Sequence, residues 1–425
     1  MVPSSSPVDF SSANPHALDT ILEASETRSI IAARDIVDLK GVKLWARNQP
    51  VTRALQERLM DRGLKDPLES SLRVENGVDH RMLGQMLGQR ADQGLLMPLL
   101  QPVMPTLRAG LSALNLHSVA QLLLTAAQTA RPVCFAHAVD CMAVCGAIAA
   151  ARNAPTPMVA AAMTAGLLHD IGEIYMAPEF GEADIGATLD AAAYQQLVVH
   201  PHIGQLLLAK LTDYRADVIR AVGEHHERLD GSGFPLRRTA DTLSVLGRLV
   251  AVAEAALAAL RPDGATLQHA SVALRVMPGE FDDGMAGPVV VAARRAAKAE
   301  PAAPREGLRE ELAQLDIALQ AALNRLDTLA GNDPAVPLPD SGLVRACGLA
   351  RHLLLRLRTG WNESGLWSPA ALDEESAAEA AAVQDALRWR LRAIERMARL
   401  TAGELQGDEA DQLDAMCAGL VSELH

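Results

Sequence analysis

A chain of 425 residues exceeds what one ordinary hydrophobic core organises, so two or three domains are expected, and a hydrophobic share of 49% says that they fold. Lys+Arg 39 against Asp+Glu 52 gives a net charge of −13, and no basic run alternates with aromatics, which argues against DNA or RNA as a partner. A small phosphate ester stays open, because bound cations can supply local positive charge that the protein lacks overall.

Aromatics make up 3% of the chain while alanine and leucine recur, so the expected fold class is mainly α. Residues 1–28 open Ser/Pro-rich and read as a disordered N-terminus without a basic segment and apolar core of the secretory kind. The five cysteines, Cys134, Cys141, Cys145, Cys347 and Cys417, are odd in number and lack a C-x-x-C pair, which fits a reducing compartment. With no stretch of 18 apolar residues, a cytoplasmic protein without membrane contact is expected.

Residues 29–115 read as a small mixed α/β domain. Residues 29–37 and 41–46 suggest short strands, Leu55, Leu59 and Met60 a helix after Pro50, and residues 80–114 a Leu/Met-rich helical stretch. Within a central domain expected at 116–284, residues 119–260 read as consecutive helices, punctuated at Arg131-Pro132, 153–155, Ala177-Pro178 and 231–235. A Gly/Pro/Ala-rich linker is expected at 285–304. The segment 305–425 then carries four apolar stripes: Leu308, Leu312, Leu315, Leu319, Leu326 and Leu329; residues 343–357; Val383 to Leu400; and Leu413, Met416 and Leu420. Such stripes close a helical bundle, a packing unit that also leaves open a homodimer and a signalling-protein partner docked on the C-terminal helices.

Four segments concentrate the chemistry: Phe135-Ala-His137, Leu168-His169-Asp170-Ile-Gly172, His200-Pro-His-Ile-Gly204, and the run from His225-His226 to Gly233-Phe234-Pro235. Imidazoles donate one lone pair each and a carboxylate can bridge two cations, so a His-rich set with one Asp suits a closely spaced metal pair. Neighbours on a helix diverge by roughly 100°, which suits His169-Asp170 and His225-His226 to serving different ions. A lone His137 on an apolar helix is more often a core histidine; the conjunction of segments is what points to a site. Cys134, His137 and Cys141 share a helical face, and buried cysteines rather than a zinc site are expected there. His202 should point away from His200.

In this order the segments resemble the HD-GYP branch of the HD phosphohydrolase superfamily over about residues 117–265. The resemblance implies an all-helical HD-type bundle with metal ligands at His137, His169, Asp170, His200, His225 and His226, Asp170 bridging. Glu254 stands where the family usually has Asp as a further ligand. It further implies a dinuclear divalent centre, iron or manganese, hydrolysing a cyclic dinucleotide, cyclic di-GMP first, in bacterial second-messenger signalling. Gly233, Phe234 and Pro235 would shape the substrate pocket.

Three departures bear on this expectation. Glu173 replaces the lysine of His-Asp-x-Gly-Lys and reverses a charge beside the phosphate. Phe234 replaces tyrosine and loses a hydroxyl. Val133 stands where some relatives with three ions carry Glu, so two ions are expected. Two other functions stay in view: a catalytically silent nucleotide-binding or protein-interaction adaptor, which Glu173 and Glu254 favour, and a phosphohydrolase for another phosphate ester.

Overall fold

The structure is a computed structural model that describes residues 12–59, 62–178, 196–261, 264–299, 308–329, 341–364, 374–403 and 405–421. Met60, residues 1–11 and 300–304, and the side chains of Leu308, Leu312, Leu315, Leu329 and Leu420 lie outside the described residues. The described residues divide into two compact units, those from 12 to 254 and those from 255 to 421.

The first unit opens with α1 (Pro15–Ser25), a correction to the expected disorder over 1–28. Asn14 caps it by accepting from the Ala17 N–H, and Pro15 presets the first turn. Leu18, Ile21 and Leu22 then bury one face, which packs on α7 (described below) and supplies what composition alone did not reveal. The expected strands follow as two short antiparallel ladders: β1 (Ile30–Ala32) with β4 (Leu72–Val74), and β2 (Ile36–Val37) with β3 (Lys43–Trp45). Between them lie α2 (Arg53–Leu59) and α3 (Leu68–Ser71). The helical stretch 80–114 is broken into α4 (His80–Asp92), α5 (Met97–Leu100), a 3₁₀ turn (Gln101–Val103) and α6 (Met104–Ala113). Gln93 is extended and Gly94 has φ +94°, a left-handed conformation that ends α4.

The helical core of this unit is α7 (Ser118–Ala130), α8 (Pro132–Ala151), α9 (Thr156–Leu168), α10 (His200–Leu211), α11 (Ala216–Glu224) and α12 (Val245–Ala258), the last belonging to it through Glu254. The α8 helix is long and apolar enough to cross a membrane by composition, yet 78% of its most apolar window is buried inside the protein, as in a core helix. Small residues let α8 and α9 approach: a Cβ on Gly166 would lie 2.7 Å from the Cys141 carbonyl oxygen and 2.9 Å from Cys145 Sγ. The cysteines are all free, and Cys141 and Cys145 are buried here, as expected of packing residues.

Among its described residues the second unit has helices joined by turns and no strand. It contains α13 (Leu267–Ala273), α14 (Asp283–Ala299), α15 (Leu308–Leu329), α16 (Gly342–Ser364), α17 (Glu374–Ala402) and α18 (Asp408–Val421). The α14 helix corrects the linker expected at 285–304. Met285, Ala286, Val289, Ala292 and Ala293 form a buried stripe, and Pro288 is accommodated within the helix, so Gly and Pro content was the weaker signal. Each of α15–α18 touches the other three around a core that includes Leu326, Leu354, Leu357, Trp361 and Leu387, which is the bundle expected from the stripes. The Trp361 indole N–H donates to Asp316 Oδ1 at 2.7 Å.

Candidate metal centre

Three of the histidines sit at helix ends and share one device. His169 caps α9, His200 opens α10 and His225 caps α11, and each Nδ1 lies 2.6–2.7 Å from the carbonyl oxygen three residues back, of Gly166, Leu197 and Val222. A carbonyl only accepts, so Nδ1 carries that proton, and Nε2 of each ring presents a lone pair whenever the ring is neutral. All three rings are fully buried.

These lone pairs converge on one carboxylate. Asp170 Oδ1 lies 3.3 Å from both His200 Nε2 and His225 Nε2; Oδ2 lies 3.0 Å from His169 Nε2 and 3.6 Å from His137 Nε2. The imidazole nitrogens also face each other, His200 to His225 at 3.0 Å and His169 to His137 at 3.3 Å. Glu254 Oε2 completes the second group, 2.7 Å from His137 Nε2 and 3.2 Å from His169 Nε2. All seven residues singled out in the sequence are thus brought together, in two groups: Asp170, His200, His225 and His226, and His137, His169 and Glu254.

Close approach of backbones makes this possible. A Cβ on Gly172 would overlap the His200 carbonyl oxygen and lie 2.7 Å from Gly204 N, so glycine lets the 3₁₀ turn Ile171–Tyr175 press against α10 and sets Asp170 beside His200. Arg131 holds the same turn from the start of α8, donating to the Glu173 carbonyl oxygen at 2.7 Å and to that of Met176 at 2.9 Å. Glu173 itself is buried in that turn, 1% exposed.

The loop of Gly233, Phe234 and Pro235 is tied to the histidine pair. Phe234 stacks on the His226 ring, centroids 4.4 Å apart and planes at 22°, and its N–H donates to the His226 carbonyl oxygen at 3.1 Å. A side chain at Gly233 would collide with that same carbonyl. Sequence reasoning missed the two buried carboxylates that anchor this loop. Glu227 accepts the N–H groups of Leu236 and Arg238 at 2.7 and 2.8 Å, and Glu224 accepts from Arg220, Arg238 and Ser244. Their adjacency to His225-His226 was the available signal. His202 is exposed and turned away, as the helical spacing requires.

The electrostatics favour a cation. Neither oxygen of Asp170 accepts a hydrogen bond, although the residue is 7% exposed. A buried carboxylate facing imidazole nitrogens is costly unless a positive charge, a proton or a cation, sits between them. Burial, with repulsion from His226 and other imidazoles, pulls His225 down to about 3, which keeps it neutral. Burial works against the charged forms of Asp170 and His169 alike, but each steadies the other: His169, with His200 and His225, holds the carboxyl well below its usual range, and Asp170 lifts the His169 imidazole well above its own. Burial also pulls on His137, where Glu254 prevails and raises it. The donor set, imidazole nitrogen plus carboxylate oxygen, fits a divalent transition metal.

Comparison with known proteins agrees with this geometry. Residues 121–284 match the HD domain family. A segment of 138 residues is 32% identical to the cyclic di-GMP phosphodiesterase PA4108 of Pseudomonas aeruginosa, covering 32% of this chain and 33% of that protein. Over 100 residues the chain is 34% identical to the 3'3'-cGAMP-specific phosphodiesterase 3 of Vibrio cholerae, covering 23% of this chain and 21% of that protein. The matched segments thus span a third or less of either relative. No solved structure matches. The resemblance read from the motifs is borne out at the level of the HD domain, which residues 121–284 match.

Proposed function

We propose that this domain is a divalent-metal phosphodiesterase of the HD-GYP branch that hydrolyses a cyclic dinucleotide, cyclic di-GMP first, in bacterial signalling. The observation that carries the reading is Asp170, whose Oδ1 faces His200 and His225 while Oδ2 faces His169 and His137. One carboxylate turned toward two imidazole pairs is the arrangement that two adjacent cations require. The substrate class is supported by the activities named for the two relatives.

Iron or manganese would be held by the two groups of ligands, and such ions supply Lewis acidity toward phosphate oxygens and a nucleophile drawn from water at neutral pH. The chain's own residues do the rest. The carbonyls of Gly166, Leu197 and Val222 fix three imidazoles in the tautomer that offers Nε2. Phe234, stacked on His226, gives a base an apolar wall without a hydroxyl to bond it. Glu173 stands where the resemblance leads one to expect a lysine, and loss of that ammonium would weaken phosphate binding.

The test is turnover of cyclic di-GMP by protein loaded with Mn(II) or, anaerobically, Fe(II). Appearance of linear dinucleotide or GMP is expected; neither product with either metal removes the activity. The buried Glu173 favours one second reading, a silent adaptor, which stoichiometric nucleotide binding without turnover would select. Hydrolysis of another ester alone, in a panel of cyclic and mononucleotides, would reassign the substrate.

A further inference from the structure

The second unit contains a hollow that has no part in the metal centre. Six alanines line it, Ala255, Ala258, Ala259, Ala273, Ala382 and Ala386, together with His269, Asp385, Trp389 and Arg390. Alanine at facing positions of three helices removes the side chains that would otherwise fill the space between them. Two features distinguish this hollow from a packing defect. Trp389 is 44% exposed at its edge, an unusual position for an indole. Arg390 is 6% exposed, and its buried Nε has no hydrogen-bond partner.

Both Nη nitrogens of the Arg390 guanidinium are engaged. Nη1 pairs with Glu280, Nη2 donates to the Ala273 carbonyl oxygen at 2.9 Å, and the group lies over the Trp389 ring with its carbon 5.0 Å from the centroid. A buried N–H donor left over in so well-held a group costs free energy unless an acceptor reaches it. The neighbouring charges decide what kind of acceptor. Glu280 already neutralises Arg390, and the Asp385 carboxylate, 3.4 Å from His269 Nε2, adds a further negative charge on the lining. An anion would meet that carboxylate without a free counter-charge, so phosphate and carboxylate ligands are disfavoured.

We propose that this hollow is a binding site for a neutral planar ring bearing a carbonyl or ring-nitrogen acceptor. The ring lies on the alanine floor against Trp389, and its acceptor takes the Arg390 Nε–H. The site is distinct from the metal centre and rests on neither the phosphodiesterase activity nor its metals.

The experiment titrates the full chain with 2-pyridone, toluene and benzoate, three ring probes with a neutral acceptor, no acceptor and an anionic acceptor. Tryptophan emission is the readout, and a Trp389→Phe variant identifies the responding residue. Saturable quenching by 2-pyridone is expected, with toluene at least about tenfold weaker for want of the hydrogen bond and benzoate without effect. Ala386→Leu, which fills the hollow, should abolish the response while the melting curve stays cooperative. Should that variant melt without cooperativity, Arg390→Lys, which keeps the charge opposite Glu280 but loses Nε, should level the affinities for 2-pyridone and toluene. No saturation by 2-pyridone, equal binding of benzoate, or a response untouched by filling the hollow would each overturn the proposal.

Discussion

His169, His200 and His225 each bind a carbonyl of the preceding turn through Nδ1, so their metal-facing nitrogen is settled by main-chain geometry rather than by another side chain. Glu254 differs, because its reach sets its distance. Oε2 arrives 2.7 Å from His137 Nε2, and Glu254→Asp would withdraw it by one methylene. Although aspartate is the residue that the HD-GYP resemblance leads one to expect there, Glu254→Asp should weaken retention of metal against a chelator by roughly 10–100-fold. Competition titration with a chromogenic chelator reads this directly. Glu69 tests a different residue-level claim. It is buried, and burial raises its carboxyl above 4.5 despite the hydrogen bond donated by the Tyr175 hydroxyl at 2.6 Å. A group that holds its proton more tightly folded than unfolded contributes stability below pH 4.5 and loses it as pH rises. Glu69→Gln keeps an acceptor for Tyr175 and removes the buried charge, so its melting temperature should exceed that of the parent at pH 8, with the gap closing toward acid.

At the scale of elements, the centre depends on how closely a 3₁₀ turn lies against α10. Gly172→Ala forces a Cβ into the His200 carbonyl and should cost about 3 kcal/mol, visible as a shifted denaturant midpoint with reduced metal content. The candidate ligands were legible in the sequence because coordination demands particular side chains, and the structure brings His137, His169, Asp170, His200, His225, His226 and Glu254 into two groups that could hold metal ions. The carboxylates that hold the Phe234 loop were not legible. Glu224 and Glu227 are ordinary helix-end residues until the fold aims backbone N–H groups at them. The same holds for α1 and α14, where Ser/Pro and Gly/Pro content suggested irregular chain. Burial of Leu18 and Ile21 in one case, and of Val289 and Ala293 in the other, outweighs that local preference.

At the scale of the whole molecule there are two compact units. The second is held by a bundle core in which Trp361 is 1% exposed, and Trp361→Ala should destabilise that unit by about 3–5 kcal/mol in thermal unfolding. The first carries everything the catalytic reading needs, and its central claim is that Asp170 joins two cation sites. Elemental analysis of wild-type protein and of Asp170→Asn, both reconstituted with Mn(II) and freed of loose metal, tests that claim most directly. The account predicts two ions per wild-type chain and at least about a 100-fold loss of metal retention in the variant. Wild-type protein that retains no metal, or a variant that retains as much as the wild type, would contradict it.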